Sequence, residues 1–212
     1  MKKRVFLLLA AAAGLATLTA CGEAPRPAAP SKKPAEAPQQ PPQPAGPVDA
    51  QTAFYEMYKP ARTWAPDLQP LSLIAGEVKG IENSGGRAGM WTAVFVSPSR
   101  HEARTFVYAV ADQGSTVHQG VTAGAAETWT GATPKSRPFQ IADFTVNSEA
   151  AYKTASGKAA AWLKGHPGRK VSMSLVNSTR FPSPAWYVMW GTAKSGYLVF
   201  VNATSGQIMT GR

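Results

Sequence analysis

An α+β fold, two consecutive α-β-β-β units each with a helix packed on a small antiparallel sheet, is predicted for this 212-residue chain by three observations. Two amphipathic helix patterns each follow a capping residue. Each is succeeded by three short runs rich in β-branched and aromatic residues. The landmarks keep nearly constant offsets: Phe54 and Tyr152 are 98 positions apart, Trp64 and Trp162 also 98, and Trp91 and Trp186 95. Repetition of this kind is the mark of a duplicated supersecondary unit.

The chain opens with Lys2, Lys3 and Arg4, and residues 5–18 (VFLLLAAAAGLATL) form an uncharged run of 14. A bilayer-spanning helix needs roughly 18 or more apolar residues, so this run suits export better than permanent anchoring. It ends in Leu18-Thr19-Ala20-Cys21, which contains the only cysteine in the chain. That tetrapeptide resembles the lipobox of bacterial lipoproteins. The resemblance implies cleavage between Ala20 and Cys21, a diacylglycerol thioether on Cys21 and acylation of the new terminus. Because each buried methylene contributes about 0.8 kcal/mol and one chain alone holds weakly, two or three chains make a durable anchor. The sorting rules of the family, with Gly22 after the cysteine, imply the outer membrane facing the periplasm.

Residues 22–48 hold nine prolines in 27 positions and no aromatic residue. Such a composition buries too little apolar surface to fold alone and reads as an extended tether. Without the three signal-peptide cations, the chain has 19 Lys and Arg against 12 acids. No basic run exceeds two residues, so nucleic acid is not expected as a partner. The expected divisions are 1–20 signal peptide, 21–48 lipid-anchored tether, 49–130 first unit and 131–212 second unit.

Asp49 caps the first helix pattern, whose apolar residues Ala50, Ala53, Phe54, Met57, Tyr58, Ala61 and Trp64 share one face. Pro60 inside it is expected to kink or end the helix. Strands are predicted at 71–78, 90–97 and 104–111, the last two joined as a hairpin by PSRHEA. Asn147 or Ser148 caps the second helix, which carries Tyr152, Trp162 and an expected Glu149–Lys153 pair, and Gly165-His166-Pro167 stops it. Strands follow at 170–177, 185–192 and 197–202, with a short one at 207–210.

The closing run AWYVMWG…GYLVFVNATSGQIM resembles the end of a PepSY or PepSY-like domain, with Asn202 where aspartate is usual and Ser205 where threonine is usual. That resemblance implies tandem helix-on-sheet modules without enzymatic activity, acting on peptidases or other envelope proteins.

Chemistry-bearing motifs are sparse. His101, His118 and His166 lack H-x-x-x-H or H-E-x-x-H spacing and are expected to face solvent; no metal or cofactor is expected. Neither G-x-S-x-G nor S-x-x-K occurs. Glycines at 85–86 and 120–124 read as turns, and Glu77 with Glu82 as solvated carboxylates. Trp64 and Trp162 are expected in the core. Trp186 and Trp190, four apart on one strand, point to one face, which either lies under a helix or forms an open aromatic platform. Trp129 lies in a loop-like segment. Trp129, Trp186 and Trp190 are therefore the candidate binding residues. The leading expectation is an envelope binding module that is not an enzyme and contacts a protein partner; the alternative is a carrier or sensor of a small apolar or glycan ligand.

Overall fold

The structure is a computed structural model, and residues 46–210 are described. It contains helix α1 (Ala50–Trp64), strands β1 (Gln69–Gly76), β2 (Met90–Ser97), β3 (Glu102–Ala109) and β4 (Gly120–Thr128), then helix α2 (Ser148–Gly165) and strands β5 (Val171–Val176), β6 (Ala185–Trp190), β7 (Tyr197–Asn202) and β8 (Ile208–Met209). All eight strands form one antiparallel sheet in the order β4-β3-β2-β1-β5-β6-β7-β8. Each half is thus a helix followed by four strands, one more than the sequence suggested for the first half.

The halves meet where β1 pairs with β5, Leu73 opposite Leu175. Both leucines are fully buried, and alternation along the strands puts Trp91, Ala93, Phe95, Trp186 and Val188 on their side. Both helices cover that side, and one apolar core runs through the two halves. The tryptophans at its centre, Trp91 and Trp186, meet edge to face at 6.3 Å. Their indoles satisfy matching needs: Trp91 Nε1 donates to Val48 O at 3.0 Å, and Trp186 Nε1 donates to Val146 O at 2.8 Å. Each acceptor is the residue just before a helix cap, so each helix entry is tied to its own sheet half by a buried indole.

The two helix N-termini also adjoin. Asp49 caps α1 by accepting from Thr52 N at 2.9 Å, and Asn147 Nδ2 donates to the same carboxylate at 2.8 Å. Asn147 Oδ1 accepts from Ser148 N and from Gln51 N, while Ala50 N donates to the buried Ser148 Oγ. Orphan amide donors of both helices are therefore satisfied by one shared polar cluster. Gly86 sits against this junction at φ +88, where a Cβ would lie 2.5 Å from Ser148 O, which leaves room for glycine alone.

Several sequence expectations are corrected. Helix α1 continues four residues past Pro60. The proline is exposed, so the Glu56 carbonyl it cannot serve is left to water, while buried Met57 and Ala61 hold the helix to the sheet. The glycine-rich stretch 120–124 is strand, not turn, because pairing with β3 supplies what local propensity lacks. Glu149 pairs with Arg87 of the other half at 2.7 Å and not with Lys153. His166 is half-buried, its ring stacked on Trp162 at 4.1 Å. Trp64 and Trp162 are half-buried at the margin of the core, not inside it.

Candidate functional site: an open strand edge and a cleft beside the second helix

Cys21 and Ala20 lie outside the described residues. Of the candidate tryptophans, Trp186 is fully buried and Trp190 is 2% exposed, Trp190 packing on Tyr152 of α2 at 6.0 Å. They form no open platform, because the apolar face they share is the one α2 covers. Trp129 is half-buried just beyond β4, and its backbone N–H donates to His101 O at 2.8 Å. The structure therefore brings Trp186 and Trp190 into one core and leaves Trp129 apart, at the sheet margin.

That margin is the first notable surface. Strand β4 is nine residues long, forms one edge of the sheet and pairs only with β3, whereas the opposite edge, β8, has two residues. A bare edge presents a row of unused backbone donors and acceptors. Part of this one is guarded: the ladder breaks between Arg104 and Phe106, and Arg104 Nε donates to Gly124 O at 2.8 Å, occupying a carbonyl at the irregularity. The remainder, Gly120 to Ala123, carries no charge or proline and includes exposed Val121. The helix-free face beside it is also uncharged, with Thr122, Val107, Thr92 and Ile74 in register across four strands. The sequence hid this strand because GVTAGAAET lacks the alternation and β-branched density by which strands are recognised.

The second surface is a cleft of about 830 Å³ at the seam of the halves. One wall is the β1–β2 connection, with Glu77, Lys79 and Glu82; the other is the turn into β5, with Arg169 and Lys170. Tyr152 and Trp190 line it from α2 and β6. Lys170 Nζ donates to Glu77 at 3.1 and 3.2 Å across the mouth. Both partners are well exposed, and such a pair contributes about 0–1 kcal/mol. The lining mixes polar and apolar groups, unlike the enclosed apolar chamber that a carrier of a small apolar molecule requires.

Among the described residues, no three His, Cys, Asp or Glu side chains are grouped to hold a metal ion, and no helix is long and apolar enough to cross a membrane. The carboxylates with displaced pKa values are structural. Burial acts to raise that of Asp49, but hydrogen bonds from Thr52 and Asn147 outweigh it and the net shift is downward. Asp67 is lowered to about 2, first by the Ser97 hydroxyl and then by the Ser99 amide.

No protein-family profile and no curated protein matches the chain. A crystal structure from Clostridium difficile 630, described as that of a candidate lipoprotein, is similar at 9% identity with a TM-score of 0.45, covering 79% of this chain and 94% of its own.

Proposed function

We propose that the chain is a lipid-anchored envelope protein that works as a binding module and not as an enzyme, its two PepSY-like halves engaging a protein partner such as a peptidase. Cys21 carries the anchor, the proline-rich tether spaces the folded part from the outer membrane, and the partner adds an extended segment to β4. The observation that carries the reading is the open edge at Gly120 to Ala123, with exposed Val121. Strand addition draws affinity from main-chain hydrogen bonds, so it needs no charged patch on the recipient. The lipobox-like Leu18-Thr19-Ala20-Cys21 after an apolar run supports the anchor.

The test is photo-crosslinking in the native host, with a photoreactive residue replacing Val121 or Trp129. A reproducible protein adduct that disappears when Ala123→Pro removes an outward-facing main-chain donor from β4 supports the reading. Adducts to lipid or glycan alone overturn it in favour of a carrier. The anchor is tested separately: Cys21→Ser is expected to release the chain from the membrane fraction, and retention there would refute lipidation at that residue.

A further inference from the structure

The two halves are not equally complete. In the first half, the side of α1 nearest the seam is closed by residues 134–144, the chain leading into α2. Phe144 packs edge to face on Phe54 at 5.4 Å, and Phe139 is 3% exposed. The backbone of this segment bridges the halves: Phe139 N donates to Pro70 O of β1, while Arg137 N donates to Asn177 O and Thr179 N to Pro134 O just beyond β5. Residues 137–140 of it are extended and bound beside the β1–β5 seam through main-chain hydrogen bonds, residues 141–143 form a single 3-10 turn, and its two phenylalanines are buried.

The corresponding place in the second half is the cleft. Tyr152 occupies the position of Phe54, 98 residues on, and Trp190 that of Phe95, 95 residues on. The turn of residues 168–171 stands where residues 66–69 lead into β1. Phe54 is fully buried and Phe95 likewise, whereas Tyr152 is half-buried and lines about 830 Å³ of open space. Among the described residues, no segment seats an aromatic side chain on Tyr152 as Phe144 is seated on Phe54.

We infer that this cleft is a receptor for an extended peptide of a protein partner, one that presents a large apolar side chain to Tyr152 and Trp190 and lays its backbone along the start of β5. The inference rests on the protein-binding reading above and adds a second site and the chemistry of its ligand. An aromatic or large aliphatic residue is required because the floor is aromatic and partly desolvated, so the gain comes from apolar area and ring contact. An extended backbone is expected because residues 137–140, which occupy the corresponding place in the first half, are extended and held there by main-chain hydrogen bonds to Pro70 and Asn177. The rim carries Lys79, Arg169 and Lys170 against Glu77 and Glu82, which accommodates polar flanks of either sign.

The probe is the filled site's own occupant: a synthetic peptide of residues 134–144 (PKSRPFQIADF) carrying a fluorophore at its N-terminus, titrated with the full chain by anisotropy. Saturable binding is expected, weakened at least tenfold by Tyr152→Ser, and equally by Glu82→Trp, which obstructs the rim from an exposed position without touching the core. The same peptide with serine at both phenylalanine positions is expected to lose at least tenfold. A benzophenone at the second phenylalanine position should crosslink to residues 76–84, 152 or 168–171. No saturable binding, binding indifferent to both variants, or crosslinks confined to residues outside 76–84, 152 and 168–171 would overturn the inference. A protein adduct at Val121 alongside failed peptide binding leaves the edge reading standing, while peptide binding without a Val121 adduct removes the edge reading alone.

Discussion

Replacing Asp49 by alanine tests the shared cap directly, because this carboxylate stands at the N-terminus of α1 and touches the cap of α2. It accepts from Thr52 N at 2.9 Å, from Thr52 Oγ1 at 2.7 Å and from Asn147 Nδ2 at 2.8 Å. Loss of an N-cap acceptor costs about 1 kcal/mol. Removing a negative charge from two adjoining positive helix ends adds about 0.5–1 kcal/mol, kept small by solvent exposure. A total of about 2 kcal/mol corresponds to a fall in Tm of about 4–8 °C for a domain of this size. Asp49→Asn keeps the acceptor oxygen and loses only the charge, so a fall of about 1–3 °C is expected. The pH dependence has a fixed sign. The folded pKa lies below 3.8, so the stabilisation is complete above that value and disappears as pH falls through the depressed folded pKa. Thermal melts of wild type and both variants between pH 2.5 and 7 are the assay; the gap between wild type and Asp49→Asn should close at the acid end. Equal melting of wild type and Asp49→Ala at pH 7, or a gap that widens on acidification, would refute the reasoning.

Three further outcomes follow from the same geometry. Trp186→Phe strands the Val146 carbonyl and leaves a void beside Trp91, so chemical denaturation should report a loss of about 2–4 kcal/mol, while a loss below about 1 would contradict the buried indole bond. Gly86→Ala forces a Cβ against Ser148 O at a positive φ and should lower soluble yield and Tm sharply; an unaffected melt would mean that the junction opens without cost. Asp67→Asn removes a carboxylate held at about 2 by Ser97 and Ser99, and should abolish a part of the acid loss of stability that wild type shows as pH falls from about 4 towards 2, read as the slope of Tm against pH.

Much of the fold was legible because it depends on neighbours along the chain. The strands at residues 90–97 and 197–202 fall where periodicity puts them, and both helices begin at the expected caps. Strand β4 was not legible, since its glycines and alanines say turn and only the partner β3 makes them strand. Of the two outcomes Pro60 allowed, a kink or an early end, the early end does not occur, because the cost of a proline depends on whether the orphaned carbonyl meets water, which sequence does not record. Trp186 and Trp190 were correctly placed on one face, but whether that face was roofed depended on where α2 lay. The cleft had no sequence signal at all, because its walls come from the β1–β2 connection, α2 and the turn before β5.

The amino-acid sequence by itself determined the caps, the turns and the alternation that sort each residue to a face of its own element, since these arise from backbone geometry over a few residues. Only the tertiary structure decided that the two halves share one sheet through Leu73 and Leu175, and that the caps of two helices become one polar cluster. It also decided that the seam is filled on one side by Phe144 and open on the other at Tyr152. Those outcomes depend on which buried faces meet at long range, where packing against a distant segment outweighs local preference.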